Sequence, residues 1–186
     1  MSRQVKISKF LSYHLRHRPD LLGLELASGG WLEVNKLLVA AKKSGFSFTL
    51  AELKQVVAEN DKQRFSFNNK GDLIRANQGH SVQVDLELDV AVPPDILYHG
   101  TYQKVVAQIK KQGLKKMQRH HVHLSADLQT AIRVGARRGY PVIFQVDALA
   151  MCNAGHTFYC SENQVWLTEV VPACYLKLLS SNLKNR

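Results

Sequence analysis

The sequence predicts an α+β protein of two lobes, and three observations carry this prediction. Apolar residues recur at helical spacing in the first part of the chain. A connector that alternates apolar and acidic residues and ends in two prolines follows over residues 82–95. Beyond it, short strand patterns outnumber the helical ones. We therefore expect a first lobe over residues 1–85 and a second over residues 92–180.

The first helix is expected to end near His17. Its apolar residues recur at helical spacing, and Pro19 disfavours helical backbone geometry at the residue before it. The helix end therefore carries a cluster of cationic side chains, namely His14, Arg16, His17 and Arg18. Cations at this end offset the helix dipole, which is the ordinary structural explanation, whereas a binding site requires further partners.

Two further helices are expected in the first lobe. Residues 31–45 predict a helix that stops at Gly45. Residues 49–60 predict another, because Thr49 and Glu52 have the spacing of a capping box. The residues expected to face the core are Leu37, Leu38 and Ala41 in the former and Leu50, Leu53, Val56 and Val57 in the latter.

A β-hairpin is expected over residues 64–76. Phe65 and Phe67 alternate with polar residues, the sequence NNKGD supplies turn residues, and an apolar segment returns. Three helices followed by a two-stranded wing predict a winged-helix domain. That architecture commonly binds nucleic acid, although a fold alone does not settle function.

The second lobe is expected to be rich in strands. Strands are predicted in the segments ILYHGT, HHVHLS, YPVIFQVDAL, TFYCS and NQVWLTE, and helices in YQKVVAQIKKQG and DLQTAIRVGARRG. We expect the first of these strands to end in an exposed turn at Gly100, where a ligand can approach the backbone closely.

The charge balance favours a polyanionic partner. The 186 residues include 25 Lys and Arg against 15 Asp and Glu, which gives a formal net charge of +10. The candidates for an electrostatic track along a nucleic acid are Lys42, Lys43, Lys62 and Arg138. No apolar run approaches the length of a membrane span, and the N-terminus lacks the apolar core of a signal peptide. A cytoplasmic protein without membrane contact is therefore expected.

Several common catalytic and metal-binding motifs are absent from the sequence. It contains no Rossmann GxGxxG, P-loop, GxSxG or HExxH motif. The three cysteines lack the spacing of a zinc site and are expected to be reduced core residues: Cys152, Cys160 and Cys174. His121 and His123 stand two residues apart, but nothing near them in sequence completes a ligand set. No metal is expected.

Six segments, taken in chain order, carry a resemblance to a known family. They are FLSYHLRHRP, DKQRFSF, IRANQGHS, LYHGT, RHHVHLSAD and ENQVWLT. Each alone is a common sequence, but the ordered set is specific and spans about residues 6–178. The set resembles the signature series of the RNA (tRNA) 2'-phosphotransferase family.

The resemblance implies a fold and a reaction. The implied fold is a winged-helix lobe followed by a lobe of the ADP-ribosyltransferase fold, with RNA and NAD meeting between them. An internal RNA 2'-phosphate would attack the nicotinamide ribose of NAD and expel nicotinamide. The ribose 2''-hydroxyl would then attack phosphorus, giving RNA with a free 2'-hydroxyl and ADP-ribose 1'',2''-cyclic phosphate. The implied reaction consumes NAD and needs no metal.

The resemblance also implies site residues. The family's catalytic Arg-His-Arg-Arg set falls on Arg16, His17, Arg64 and Arg119. NAD-binding roles are implied for His99, Gly100, Thr101, His123, Ser125 and Val165, and RNA contacts for Arg75, Gln78, His80 and Ser81. Many protein-modifying relatives carry a catalytic Glu at the position of Val165, and its absence fits an enzyme whose nucleophile is already an anionic phosphate.

Two other function classes remain open from the sequence. A non-enzymatic winged-helix protein would bind nucleic acid in a salt-sensitive manner and leave NAD unchanged. An ADP-ribosyltransferase that acts on protein or on nucleic-acid ends would leave ADP-ribose attached to its target. We expect a monomer. The physiological RNA is not identified by the sequence, and a spliced tRNA with a junction 2'-phosphate is one candidate.

Overall fold

The computed structural model describes residues 1–60 and 62–179, and the predicted mixture of helices and strands is confirmed. The chain divides into two compact units, which we call unit 1, Met1–Leu88, and unit 2, from Asp89 onward. Each unit has a hydrophobic core of its own. Every helix among the described residues is too short or too polar to span a membrane.

Within the described residues, unit 1 consists of three α-helices and a small antiparallel sheet. In chain order its elements are α1 (Arg3–Arg16), β1 (Leu32–Glu33), α2 (Val34–Lys43), α3 (Leu50–Ala58), β2 (Phe65–Phe67) and β3 (Leu73–Ala76). The predicted hairpin is the pair β2 and β3, and β1 adds a third strand that was not predicted, in the order β1-β3-β2. Apolar side chains of the three helices and the sheet form the core.

Helix α1 ends where the sequence predicts. Arg16 is its last residue and His17 is its C-cap. Pro19 then opens a short 3-10 turn, and the ring of a proline is incompatible with continuing the α-helix. The buried stripe of α1 consists of Ile7, Leu11 and Leu15.

Helix α2 begins later than predicted. It starts at Val34 rather than near Trp31, because the two residues of β1 pair with β3 instead of joining the helix. Gly45 follows the helix end with a φ of 84°, a left-handed conformation that glycine adopts without steric cost. The expected core residues Leu37 and Ala41 are fully buried, and Leu38 is half-buried.

Helix α3 has the predicted capping box. The Thr49 hydroxyl accepts from the Glu52 N–H, and the Glu52 carboxylate accepts from the Thr49 N–H. Leu53 and Val56 are buried as expected. The prediction was wrong for Leu50, which is 40% exposed because it is the first helical residue and lies at the edge of the core.

The predicted connector contains contacts as well as extended chain. A turn formed by Ser28–Gly30 bonds to Asp85 through a backbone N–H and to Glu87 through a hydroxyl. Further along, Val90 forms an isolated antiparallel bridge within unit 2. The segment is therefore fixed at both of its ends.

Unit 2 is built on an antiparallel sheet. In chain order its described elements are β4 (Ile96–Tyr102), α4 (Val106–Gln112), β5 (Leu114–Lys115), β6 (Val122–Ser125), α5 (Leu128–Gly135), β7 (Pro141–Asp147), α6 (Ala148–Asn153), β8 (Phe158–Cys160), β9 (Val165–Thr168), β10 (Val170–Val171) and β11 (Leu176–Leu179). Six strands form one sheet in the order β11-β7-β4-β6-β9-β8, and β5 pairs separately with β10. Leu97, Leu124 and Phe144 lie on its core face.

The exposed turn predicted at Gly100 is wrong. Gly100 lies inside β4, which continues to Tyr102. A Cβ atom on Gly100 would collide with the Ala131 carbonyl oxygen and would lie 2.9 Å from the Gly135 backbone nitrogen. Glycine is required here because α5 crosses β4 at backbone-to-backbone distance, which sequence spacing does not reveal.

Unit 2 contains the predicted elements and four more. All five predicted strands and both predicted helices are present, whereas α6, β5, β10 and β11 were not predicted. The cysteines are free thiols, as expected. Cys152 and Cys160 are half-buried, but Cys174 is exposed because it lies in the 3-10 turn before β11, so its predicted core position is wrong.

Candidate functional site

Arg16, the first of the predicted catalytic residues, is held both through its guanidinium group and through its backbone carbonyl. Its Nη2 donates to the Arg64 carbonyl at 3.4 Å, and its guanidinium carbon lies 5.8 Å from the centroid of the Phe65 ring. Its own carbonyl accepts from the backbone N–H groups of Ser81 at 2.9 Å and Val82 at 3.3 Å. These bonds satisfy a carbonyl that the end of a helix leaves without an intrahelical donor.

His17 is held through one edge of its ring. Its Nδ1 lies 2.9 Å from the Oγ of Ser81, at hydrogen-bond distance. His17 is half-buried and Ser81 is exposed. The sequence predicts an RNA contact for Ser81, and the structure places its hydroxyl on a predicted catalytic residue.

Arg64 is oriented by a side chain that is not among the predicted site residues, that of Asn60. Its Nη1 donates to the Oδ1 of Asn60 at 3.1 Å. The same Oδ1 accepts from the Lys62 N–H at 3.1 Å, and the amide of Asn60 donates to the Ser8 hydroxyl at 3.3 Å. Asn60, which follows the end of α3, thus links α1 to Arg64, the residue just before β2. An asparagine just after a helix signals only a local turn, so this longer-range role leaves no sequence signature.

The four predicted RNA-contact residues differ in burial and in their contacts. Ser81 lies beside His17, and Gln78 is half-buried. Arg75 stacks on Trp31, with its guanidinium carbon 4.5 Å from the ring centroid. His80 is fully buried, so its side chain lies beneath the protein surface and does not present a face to solvent.

The four cations predicted to form an electrostatic track for a nucleic acid differ in their surroundings. Lys42 and Lys43 are exposed at the end of α2, and Lys62 is exposed close to Arg64. The side chain of Arg138 lies outside the described part of the chain. Unit 1 therefore gathers Arg16, His17 and Arg64, together with Ser81 and Asn60, at one place.

In unit 2 the strands β4 and β6 stop pairing beside His99, and we call this place the opening. The neighbouring strands β4 and β6 share one paired position in the described structure, Tyr98 with Ser125, whereas β4 and β7 are paired along seven. Past that position, the Nδ1 of His99 lies 3.1 Å from the backbone carbonyl of His123. Beyond Tyr98, the described contact between β4 and β6 is therefore made by the side chain of His99 and not by paired backbones.

The surroundings of His99 favour its neutral form. Burial lowers the pKa of this imidazole, a hydrogen bond to the His123 carbonyl opposes the shift, and the positive charge of Arg119 lowers the pKa further. A carbonyl can only accept, so Nδ1 carries the proton and Nε2 is an acceptor in the neutral ring. His99 can therefore receive a hydrogen bond from a ligand hydroxyl group through Nε2.

Arg119 and His123 lie together although they do not share a strand. His123 lies in β6, which begins at Val122, and Arg119 lies in the turn before it. The Nη1 of Arg119 is 3.4 Å from the Nδ1 of His123. Because a guanidinium only donates, Nδ1 of His123 accepts, and its neutral ring carries its proton on Nε2.

The other predicted NAD-binding residues lie on the same strands. Ser125 pairs with Tyr98 on one side and with Val165 on the other. Thr101 is buried in β4, and Val165 is half-buried in β9. Gly100 packs against α5 and has no room for a side chain. Unit 2 therefore brings these residues to adjacent strands.

The histidine pair considered for a metal is separated by its packing. The ring of His121 packs on Tyr159 at a centroid distance of 5.3 Å, while His123 contacts Arg119. Over residues 1–60 and 62–179, the structure has no group of three or more His, Cys, Asp or Glu side chains that could hold a metal ion.

The two groups of residues suit different ligand chemistry. The cluster in unit 1 offers guanidinium donors, which match the oxygens of a phosphate. The opening in unit 2 offers an imidazole acceptor at Nε2 of His99, which matches a hydroxyl group.

The chain was compared with known proteins. The family described as RNA 2'-phosphotransferase, Tpt1 / KptA family, matches residues 2–170. A "Probable RNA 2'-phosphotransferase" of Trichormus variabilis is 59% identical over 179 residues, covering 96% of this chain and 98% of the relative. The protein of the same name from Nostoc punctiforme is 58% identical over 176 residues, covering 95% and 97%.

A third relative is also similar over nearly its whole length. The "Probable RNA 2'-phosphotransferase" of Streptomyces griseus is 55% identical over 183 residues, covering 95% of this chain and 97% of the relative. The family match spans most of both units and includes every predicted site residue. The chain therefore belongs to the RNA 2'-phosphotransferase, Tpt1 / KptA family.

Proposed function

We propose that this chain removes an internal 2'-phosphate from RNA by transferring it to ADP-ribose, with NAD as the consumed co-substrate. The observation that carries the proposal is the family match over residues 2–170. The name of the family supplies the RNA and the 2'-phosphate. The residues of the two units support the NAD dependence and the two steps, and the net charge of +10 suits an RNA substrate.

The fold proposed for each unit follows from its elements. Three helices and a hairpin with a third strand support a winged helix for unit 1. The antiparallel sheet that opens between β4 and β6 beside His99 supports an ADP-ribosyltransferase fold for unit 2. We further propose that the protein acts as a monomer in the cytoplasm.

In the first step, Arg16, His17 and Arg64 bind the RNA 2'-phosphate. One of its oxygens attacks C1'' of the nicotinamide ribose, and the bond from that carbon to the nicotinamide nitrogen breaks with both electrons leaving on nicotinamide. The nucleophile is already an anion, so this step needs no general base. The guanidinium groups of the cluster place the phosphate for attack.

Binding of the NAD ribose is assigned to unit 2. The neutral His99 accepts a hydrogen bond from a ribose hydroxyl through Nε2, which is the one polarity that its bond to the His123 carbonyl allows. His123 and Ser125 lie two residues apart on β6, and Val165 pairs with Ser125, so these three side chains share one face of the sheet, which we assign to NAD. Gly100 and Thr101 contribute backbone from β4.

In the second step, the ribose 2''-hydroxyl attacks phosphorus and the bond from phosphorus to the RNA 2'-oxygen breaks. The proton lost by the 2''-hydroxyl ends on the RNA 2'-oxygen, which leaves ADP-ribose 1'',2''-cyclic phosphate. Arg119 stabilises the charge that builds on the phosphate oxygens, and His17 is the candidate for moving the proton. Arg75 and Gln78 are proposed to contact the flanking RNA, with His80 supporting them from beneath.

The test uses pure protein and an RNA oligonucleotide with one internal 2'-phosphate, incubated with and without NAD in EDTA. We expect loss of the 2'-phosphate and formation of the cyclic phosphate only with NAD. The control RNA carries a 2'-hydroxyl at the same position and should remain unchanged.

Two results would overturn the proposal. Binding of RNA without chemical change in either sample would favour a non-enzymatic nucleic-acid-binding protein. Stable attachment of ADP-ribose to the control RNA, with no phosphate removal from the other, would favour a transferase that modifies nucleic-acid ends. Inclusion of Arg119→Ala separates the steps, because we expect RNA carrying phospho-ADP-ribose to accumulate in this variant.

A further inference from the structure

The contact between Ser81 and His17 suggests a role that differs from RNA binding. The Oγ of Ser81 lies 2.9 Å from the Nδ1 of His17, and its backbone N–H lies 2.9 Å from the Arg16 carbonyl. Two bonds therefore connect this serine to two consecutive residues of the predicted catalytic set. We propose that Ser81 is a positioning residue that fixes the ring of His17, so that Nε2 rather than Nδ1 meets the substrate.

The backbone bonds explain why the hydroxyl is where it is. The N–H groups of Ser81 and Val82 both reach the carbonyl of Arg16, at 2.9 Å and 3.3 Å. That carbonyl is the last of α1, so the segment after the wing docks on the helix end independently of the serine side chain. The hydroxyl is thus delivered to His17 by the fold, and its removal leaves the docking bonds in place.

The same contact explains why His17 requires such a partner. His17 is the C-cap of α1, with φ of −127° and ψ of −41°, so it lies outside the regular helix. The ring of a histidine can rotate by half a turn and exchange the positions of its two nitrogens, which are chemically distinct. A hydroxyl on Nδ1 favours the one ring orientation that keeps this bond, and because a hydroxyl both donates and accepts, the bond forms with either tautomer.

Stability of the fold is a weak explanation for this bond. Ser81 is exposed, and a surface hydroxyl exchanges water for the imidazole with little net gain. Direct contact with RNA is the competing explanation, and it predicts weaker RNA binding with an unchanged turnover rate. Positioning predicts the opposite, namely a lower turnover rate with RNA binding unchanged.

This inference rests on the proposed function, and the experiment separates the two. Ser81→Thr and Ser81→Val form a matched pair, because the two side chains have the same shape and only threonine retains the hydroxyl. We expect kcat to fall about tenfold in Ser81→Val, to stay near wild type in Ser81→Thr, and KM for RNA to stay constant in both. The control is Ser47→Ala, at an exposed serine whose backbone carbonyl, not its hydroxyl, accepts from Arg3.

A spectroscopic readout keeps the test independent of activity. Long-range proton–nitrogen spectra of nitrogen-labelled protein report the tautomer of each histidine, and His17→Gln identifies the signal. We expect the ring-nitrogen signals of His17 in Ser81→Thr to match those of the wild type, and those in Ser81→Val to shift, because only valine removes the hydrogen bond to Nδ1.

The outcomes distinguish the two proposals. An inactive wild type, with His17 signals that shift in Ser81→Val and not in Ser81→Thr, refutes the proposed function and leaves the positioning of the ring supported. An active wild type, with unchanged kcat and an unchanged His17 signal in Ser81→Val, overturns the positioning role. A rise of KM alone in Ser81→Val also overturns it, in favour of direct contact with RNA.

Discussion

Two histidines show how differently the two units hold their predicted site residues. His17 lies at the end of a helix, and its ring contacts the hydroxyl of the exposed Ser81. His99 lies within a sheet, where burial lowers the pKa of the ring and its Nδ1 donates to the backbone carbonyl of His123. One imidazole is held by a side chain at the surface, and the other by the backbone of a strand.

This difference between the units indicates where a substitution can reduce activity without reducing the stability of the fold. In unit 1 the orienting groups are the side chains of Ser81 and Asn60, and a side-chain hydrogen bond contributes only about 1 kcal/mol net to folding. In unit 2 the opening beside His99 is made by strand register and by the close crossing of α5 over β4. We therefore expect substitutions in unit 1 to reduce activity and those in unit 2 to reduce stability as well.

The largest effect is expected from Gly100→Ala. The new Cβ would collide with the Ala131 carbonyl oxygen, and backbone atoms cannot move aside as a flexible side chain can. Overpacking of this kind costs about 3 kcal/mol in free energy of unfolding. Chemical denaturation, followed by a signal from unit 2, measures the loss.

The control for this substitution is Gly155→Ala. Gly155 has a φ of 87°, and no atom of the described residues lies within 4 Å of where its new Cβ would be, so it tests backbone strain without a clash. A left-handed alanine costs about 1 kcal/mol. If the two variants lost equal stability, the close crossing of α5 would not be what constrains Gly100, and the contrast between the units would weaken.

A smaller effect, on activity rather than on stability, is expected from Asn60→Ala. The substitution removes the acceptor 3.1 Å from Nη1 of Arg64 while the arginine itself remains. We expect the turnover rate to fall about tenfold, because under the proposed function Arg64 is a catalytic cation, and a cation that is less well placed stabilises the transition state less. The free energy of unfolding should change by about 1 kcal/mol.

Asn68→Ala is the matched control for Asn60→Ala. The Oδ1 of Asn68 also accepts two bonds, from the N–H groups of Asp72 and Leu73, but in the turn of the hairpin. We expect a comparable loss of stability with turnover unchanged. Equal loss of turnover in both variants would show that unit 1 responds to general destabilisation and not to the orientation of Arg64.

The sequence predicts best those features that neighbouring residues determine. The capping box of Thr49 and Glu52 and the end of α1 before Pro19 depend on residues a few positions apart, and both are confirmed. The two-residue strand β1 was not predicted, since it exists only through its pairing with β3. Leu50 was misassigned because periodicity does not show where the core ends.

The candidate site shows the same limit. The resemblance supplied Arg16, His17 and Arg64, and the structure brings them together. It could not supply Asn60, whose bonds to Ser8 and Arg64 join residues from different elements. Long-range contacts of this kind appear only when the chain is folded, so positioning residues are the part of a site that a sequence reveals least.

The smallest effect is expected from His99→Gln, which changes how stability depends on pH. Burial lowers the pKa of this ring from its ordinary value of 6.5, so the folded protein keeps His99 neutral while the unfolded chain takes up a proton. The associated stability is full above 6.5 and is lost as the pH falls from there through the lowered folded-state pKa. In His99→Gln this loss should disappear, and stability should depend less on pH just below 6.5.

His121 also has a pKa lowered by burial, so part of the pH dependence will persist in the variant. His121→Gln therefore serves as the reference, and the double variant should show the flattest profile. Denaturation at a series of pH values measures each profile. Identical profiles for wild type and His99→Gln would mean that the ring takes up protons in the folded state as readily as in the unfolded chain. The opening in unit 2 would then be as accessible to water as the end of α1, and the two histidines would differ in their partners alone.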